Sequence, residues 1–396
     1  MRWPRPAGET ACEHKRSVAV QQVGEPRTAA RRRGHAAHAE PAAVDEKPRL
    51  VVLIPAHNEE ERVGDAIQAL HEQTLPPDLI VVVADNCTDR TAAVARRAGA
   101  EVFTTVGNRH KKAGGLNQAI EWILPHLSER DLVLVQDADT VLNPHFVQTA
   151  AGTFNRKVGA VGGVFYGEAG GGLLGLLQRM EFHRYAWEIE RRGGKASVLT
   201  GTGTMFRARV LREIRQARLA GRIGGGSGYY SLASLTEDDE ITKAVKTLGY
   251  RTMSPAGCAV TTEVMTTVPK LWHQRMRWQR GALENLRDYG WTRVTSRYFA
   301  QQFMIGFGAL SFLAYLLFMA LTLLTTGWPG LSPFWTAIGA IFIVEKTVSV
   351  RRAGPAAILV ALMMVPEMLY DLFQHAVYFA SLWGLVRRSE ETWVPT

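Results

Sequence analysis

Arg49-Leu50-Val51-Val52-Leu53-Ile54-Pro55 is the stretch whose reading decides the fold. Its five apolar residues run without a polar interruption. A strand with one wet face alternates apolar and polar, whereas a strand covered on both faces does not, so this run reads as a buried parallel strand. Ala56-His57-Asn58-Glu59-Glu60 follows as a strand-to-helix loop, and residues 63–73 carry the spacing of an amphipathic helix. Residues 79–84 form a second apolar run that ends in Asp85-Asn86-Cys87-Thr88-Asp89. A helix is expected over 90–98, a short third strand over 101–104 and a helix over 117–127. A fourth strand, 131–135, ends in Gln136-Asp137-Ala138-Asp139. Strands alternating with helices specify a doubly wound α/β sheet. In such sheets ligands sit outside the carboxyl ends of the strands, where Asp85 and the Asp137/Asp139 pair lie.

Further along, residues 158–165 are strand-like around Gly162-Gly163. Residues 170–192 suggest a helix with Leu173, Leu174, Leu177, Met180 and Trp187 on one side, lying in a membrane interface or covering the sheet. Leu199-Thr200-Gly201-Thr202-Gly203-Thr204-Met205-Phe206 is a turn entering a strand. No charge occurs between Arg297 and Glu345. Residues 303–326 are long enough to cross a bilayer, Gly327-Trp328-Pro329-Gly330 makes a turn, and residues 334–344 begin a return span anchored inside by Arg351-Arg352. Residues 356–386 are apolar but contain Glu367, Asp371 and His375, with Pro366 as a break, and read as one long segment or two short ones. Arg387-Arg388 place the C-terminus in the cytosol, which needs an even number of crossings, whereas a simple count gives three. The expected organisation is a disordered basic tail (1–48), an α/β domain (49–297), a transmembrane region of three to four segments (298–388) and a short tail (389–396).

The chain has 396 residues, three cysteines and a formal net charge of +9. Few, odd-numbered cysteines exclude a disulfide framework and suit a reducing cytosolic face. The basic residues are spread along the chain, which suits lipid headgroups or nucleotide phosphates; no nucleic-acid partner is expected. The N-terminal tail, with Arg31-Arg32-Arg33, has neither the apolar core of a signal peptide nor a span, and lies on anionic lipid or has no role of its own.

Five groups of residues carry chemistry. Asp137-Ala138-Asp139 offers hard oxygen ligands for Mg²⁺ or Mn²⁺ shared with substrate phosphates. Asp85 can accept from a base imide or a ribose hydroxyl; the alternative, capping the next helix, is open equally to Thr88 or Asp89. Lys112-Ala113-Gly114-Gly115-Leu116-Asn117 combines a cation with backbone donors at a helix start, an anion site. Thr236-Glu237-Asp238-Asp239 follows a Gly-rich loop (Gly224 to Tyr230) and supplies a general base. Asp238 is the choice for that base, with Glu237 and Asp239 as rivals; the same residues also make an acidic first turn for a helix at 240–248 capped by Thr236. Finally, Gln274-Arg275-Met276-Arg277-Trp278 puts a Gln, two arginines and a Trp on one turn and a half of a helix, where an arginine can hold a phosphate and an indole can stack on a pyranose face. A proton acceptor, a phosphate clamp and a stacking platform together describe transfer of a sugar from a nucleotide diphosphate.

Taken in order, Asp85, Asp137-Ala138-Asp139, Thr236-Glu237-Asp238 and Gln274-x-x-Arg277-Trp278 resemble the processive membrane branch of glycosyltransferase family 2, which includes cellulose, chitin, hyaluronan and poly-N-acetylglucosamine synthases. Val52 to Glu60 and Lys112 to Asn117 match its blocks as well; Gly201-Thr202-Gly203 is a loose match to its acceptor block. The resemblance implies a GT-A fold facing the cytosol in a multi-pass membrane protein, with inverting transfer from a nucleotide sugar, most often a UDP-sugar. It implies Asp85, Lys112, Asp137, Gln274 and Arg277 at the donor, Asp139 and Asp137 at the metal, and Asp238 as base, which separates Asp238 from its acidic neighbours. Trp278, Gly201, Thr202 and Glu237 would face the acceptor, whether glycan, lipid or protein. Polymer-exporting members carry transmembrane helices before the catalytic domain; none is expected here, so a homo-oligomer would have to build a channel, or the enzyme adds one or a few sugars. A catalytically dead sensor or assembly subunit is a third reading, against which the intact Asp139 and Asp238 stand.

Overall fold

The computed structural model describes residues 47–327, 330 and 332–387. The basic tail expected over 1–48 falls outside the described residues except at 47 and 48, as do Trp328 and Pro329 of the expected turn, Arg388, and the tail 389–396.

The first half alternates as expected: β1 (Leu50–Ala56), α1 (Val63–His71), β2 (Leu79–Ala84), α2 (Thr91–Arg97), β3 (Glu101–Thr104), α3 (Lys111–Ile123) and β4 (Leu132–Val135). These strands pair in parallel in the order β3-β2-β1-β4. Alternate residues of each apolar run serve opposite cores. Val51, Leu53, Val81 and Val83 pack with Leu116 and Ile120 of α3, while Val52, Ile54 and Val82 pack with Ile67 and Leu70 of α1. Both faces are dry, which is why the sequence runs without polar alternation.

The helix expected over 117–127 starts earlier, at Lys111. Gly114 makes this possible: a Cβ there would stand 2.0 Å from the Asn108 Oδ1. That oxygen accepts from the His110 N–H at 2.9 Å, and Asn108 Nδ2 donates to the Lys111 carbonyl at 2.7 Å, closing the loop onto the helix.

The second half adds β5 (Val141–Leu142), α4 (Phe146–Thr153), β6 (Val158–Gly162), β7 (Val164–Gly167), α5 (Gly172–Arg191), β8 (Thr204–Arg207), α6 (Ala208–Leu219), α7 (Glu237–Thr247), β9 (Arg251–Met253) and β10 (Ala259–Thr262). β8 enters between β4 and β6, antiparallel to both, and β9 extends the edge, so the main sheet is mixed. The single strand expected over 158–165 is two. The chain turns at Gly163, where a Cβ would lie 2.9 Å from Val260 Cγ1, and β7 joins a second sheet in the order β5-β10-β7. Of the two roles expected for 170–192, α5 takes the covering one and adds another. Its Phe182 stacks edge-on against Phe165 of β7 at 4.7 Å, and its Leu177 and Met180 share an apolar cluster with C-terminal helices.

Those follow α8 (Val268–Tyr289): α9 (Ser296–Thr326), α10 (Pro333–Val350), α11 (Pro355–Met363) and α12 (Val365–Arg387). α9 and α10 are long and apolar enough to span a membrane, and α11 with α12 would make a third span only as a pair bent by 79°. The bend falls at Met364, whose φ is +57°. Phe303, Phe307, Leu317, Phe318, Trp335 and Phe342 of α9 and α10 stand exposed, an apolar surface larger than a soluble monomer carries. The charges that interrupt the last apolar stretch find partners within the protein. Buried Glu367 pairs with Arg184 of α5 at 2.7 Å and with Lys346 of α10 at 3.0 Å, and Lys346 also meets Asp371 at 2.9 Å.

Candidate active site

The parallel strands deliver Asp85 and Asp137 at their carboxyl ends, and α7 and the turn before β8 close over them. A cleft lined by Lys112, Gly201, Tyr230, Glu237 and Asp238 results. Asn117 braces it from α3: its Oδ1 accepts from the Tyr229 and Tyr230 N–H groups at 2.9 and 2.8 Å, and its Nδ2 donates to the Tyr230 carbonyl at 2.9 Å. The Gly-rich loop thereby holds a fixed position above the sheet.

Lys112 does not stand open to an anion. Its Nζ lies 2.6 Å from Asp137 and 2.8 Å from Glu237. Burial opposes charge on Lys112, but the two carboxylates outweigh it and hold the ammonium well above its ordinary pKa. Burial also works against Glu237, yet Lys112 keeps that carboxyl below its usual range. Asp137 goes the other way: burial, reinforced by Asp139 and opposed by Lys112, pushes it up to about 6.

Four consecutive acids open α7, and their environments differ. Glu240 is buried and pairs with Arg218 at 2.6 Å. Glu237 is taken by Lys112. Asp239, buried, pairs with Lys243 and accepts from Asn285 Nδ2 at 2.8 Å. Asp238 accepts from two backbone N–H groups, Gly201 at 3.3 Å and Asp239 at 2.8 Å, and among the described residues no cation pairs with it. Burial, with Glu237 and Asp239 adding and Lys112 opposing, pushes its carboxyl up to about 7. The helix starts at Glu237, not near 240, and Thr236 makes no side-chain cap. Its hydroxyl instead accepts from Asn285 Nδ2 at 3.2 Å.

Asp139 accepts from the Thr140 hydroxyl at 3.1 Å. Glu59, in the loop after β1, has its carboxyl pushed up to about 7 by burial and then by the charges of Asp139 and Asp137. Among the described residues no group of three or more His, Cys, Asp or Glu is arranged to hold a metal. Two partly exposed carboxylates in a surplus of negative charge fit a divalent cation that takes its remaining ligands from phosphates and water. Asp85 accepts from Thr105 Oγ1 at 2.7 Å and Asn86 Nδ2 at 3.1 Å. It does not cap α2; Asp89 accepts from the Thr91 N–H at 2.9 Å. Thr202 bonds Thr200 through their hydroxyls at 2.8 Å.

α8 brings Gln274, Arg277 and Trp278. Arg277 lies close enough to lower the pKa of Lys111, after burial, and to help hold Glu237 ionised. Gln274 and Trp278 meet through Arg275, which sequence reasoning passed over. Gly281 was missed as well. A Cβ there would stand 2.4 Å from Thr236 Oγ1 and 2.7 Å from its Cγ2, so the glycine lets α8 reach the start of α7, where Asn285 fastens it. Gly281→Ala should overpack this crossing and cost about 1–3 kcal/mol, read as a fall in the chemical or thermal midpoint of the detergent-solubilised protein; an unchanged midpoint would mean the crossing is soft.

Residues 48–281, more than half of the chain, match the profile of glycosyltransferase-like family 2. The chain belongs to that family. This family 2 glycosyltransferase is 25% identical over 264 residues to the poly-beta-1,6-N-acetyl-D-glucosamine synthase of Staphylococcus aureus (strain COL), a match covering 64% of this chain and 60% of the relative. The synthase of the same name from Staphylococcus epidermidis is 24% identical over 254 residues, 62% of this chain and 57% of that one. The chain thus matches about 60% of the length of these curated relatives. Among solved structures it is similar to the mannosyltransferase PcManGT from Pyrobaculum calidifontis in complex with GDP-Man and Mn²⁺, with a TM-score of 0.54 at 19% identity, over 89% of this chain and 92% of that one. The shared fold is GT-A, with a mixed sheet, as the strand order here has it.

Proposed function

We propose that this glycosyltransferase is an inverting, membrane-anchored enzyme that moves a sugar from a nucleotide diphosphate to a growing β-linked glycan. UDP-N-acetylglucosamine is the first donor to test, because the curated relatives are named for poly-N-acetylglucosamine synthesis. The observation that carries the reading is the isolation of Asp238 among four adjacent acids, of which Glu237, Asp239 and Glu240 pair with Lys112, Lys243 and Arg218. It is the one without a cation, in a cleft beside the Gly201 turn, and a base must be free to accept a proton from the attacking hydroxyl. Gln274 and Arg277 serve the donor diphosphate and Asp85 its nucleoside, while Lys112 acts at the donor site through Asp137 and Glu237, with which it pairs. Asp139 and Asp137 hold Mg²⁺ or Mn²⁺, which when bound neutralises charge on the departing diphosphate. Trp278, Glu237, Gly201 and Thr202 face the acceptor.

α9 and α10 cross the bilayer as a hairpin in this reading, with α12 lying at the interface against α8. Two crossings return the chain to the side it left, which agrees with arginines on the cytoplasmic side. Two helices are few for enclosing a channel. That favours, as the second reading, addition of one or a few sugars to a lipid or protein acceptor, or else a homo-oligomer that builds the path. Membranes bearing the full chain should incorporate label from UDP-N-acetylglucosamine, and sizing the product separates polymer from single additions. The protein should require detergent for extraction. Absence of transfer from a panel of UDP- and GDP-sugars by folded protein would defeat the first claim, and recovery in the soluble fraction would defeat the anchoring.

A further inference from the structure

Arg275 sits between the two site residues that flank it on α8. Its Nη1 donates to Gln274 Oε1 at 2.9 Å, and its guanidinium lies 4.4 Å from the centre of the Trp278 ring. The first contact orients the Gln274 amide: with its oxygen occupied, the group is left to present N–H donors, as an anionic diphosphate requires. The second covers one face of the indole, leaving the other for a ligand; Trp278 is 37% exposed. Arg275 itself is buried, and its position is set by a carboxylate of the covering helix α5 that α12 shares. Glu181 of α5 accepts from Arg275 Nη2 at 2.8 Å, from the Tyr370 hydroxyl of α12 at 2.6 Å and from Gln374 Nε2 at 3.4 Å. One carboxylate therefore ties the Gln274–Trp278 turn to α12, the helix that follows the 79° bend.

We propose that Glu181 is a positioning residue: through Arg275 it sets Gln274 and Trp278, and through Tyr370 it makes their setting depend on how α12 is seated. The inference rests on the proposed roles of Gln274 at the donor and Trp278 at the acceptor, but its first test does not. Glu181→Gln removes the charge that holds Arg275 and puts an amide donor where Tyr370 and Gln374 donate. Tyr370→Phe leaves the Arg275–Glu181 pair intact and removes the phenol's 2.6 Å bond to Glu181 and its 3.5 Å bond from Arg275 Nη2, so that only the longer Gln374 bond ties Glu181 to α12; it keeps the test alive if Glu181→Gln folds poorly.

The Trp278 contribution to emission, obtained by subtracting a Trp278→Phe partner in each background, should become more accessible to acrylamide in both variants. In an active preparation, Glu181→Gln should raise the donor KM and reduce turnover by roughly tenfold to a hundredfold, the scale of a misplaced site group, with Tyr370→Phe moving both in the same direction by less. A merely structural role would lower the maximal rate with the folded fraction and leave KM and Trp278 quenching alone. Unchanged Trp278 quenching in both variants overturns the proposal whatever the activity. Should wild type transfer no sugar while quenching shifts as expected, the positioning stands and the functional reading fails.

Discussion

Asp238→Asn should bind donor about as well as wild type and turn it over at least about a hundredfold more slowly, the scale of a lost general base. The amide keeps the size of the carboxyl and can still accept from the Gly201 N–H, but it cannot take the acceptor's proton. The pH dependence gives a second measurement. A carboxyl held near 7 is protonated below that pH, so kcat/KM of the wild type should fall about tenfold per unit as pH drops below 7. Stability provides the third, and its sign is diagnostic. Asp238 has a folded pKa above its unfolded value of 3.8, so stability associated with it is fully present below about 4 and is lost as pH rises through 7. The Asn variant is spared that loss. Its midpoint relative to wild type should climb between pH 4 and 7 and stay level above. If the acidic turn were only a helix start, Asp238→Asn would lower the midpoint at pH 8 and leave the rate per folded molecule alone, and the assignment of the base would have to be withdrawn.

Removing divalent cations should abolish transfer, and Mg²⁺ or Mn²⁺ should restore it. Asp137 and Asp139 follow β4 in one short loop and each feels the other's charge, Lys112 pairs with the first, and Glu59 adds a further carboxyl to the same region. Asp139→Asn should therefore cost roughly 10²–10³ in turnover, the scale of losing one preorganised electrostatic partner, and should raise the concentration of Mn²⁺ needed for half-maximal rate. The same carboxylates repel one another without a cation, so added Mn²⁺ should also raise the unfolding midpoint of wild type more than that of Asp139→Asn, by the linkage between ligand and native state. Full activity in chelator, with no metal-dependent shift of the midpoint, would remove the metal from the scheme.

Much of this architecture can be read from single stretches. The unbroken runs at Val51–Ile54 and Val81–Val83 announce strands dry on both sides, and the acids at their ends mark the open side of the sheet. What stays hidden depends on partners far away in the chain. Lys243 stands one turn along α7 from Asp239, a local i,i+4 pair, but nothing nearby says that Lys112 takes Glu237 or that Asn285 fastens Asp239. Those two partners come from other helices, and only the closed fold brings them in. The break at Gly163 is invisible because one strand-like stretch is shared by two sheets. The membrane count is ambiguous for the same reason: Glu367 and Asp371 look like charges stranded in an apolar segment until Arg184 and Lys346 arrive from α5 and α10. Arg275 and Gly281 offered no signal of their own, since each matters through what it touches.

Asn285 grips Ser234, Thr236 and Asp239 together, and Gly281 removes the last spacer between the two helices. The start of α7 and the second half of α8 are thus one mechanical block, with little freedom to swing apart. A nucleotide sugar as bulky as the proposed donor still has to enter and its spent nucleotide has to leave. That traffic must be admitted by the facing wall, where Lys111 opens α3 at a φ of +52°. Amide protons of residues 234–241 should accordingly exchange slowly and stay slow when nucleotide is added, while those of 108–115 change pace.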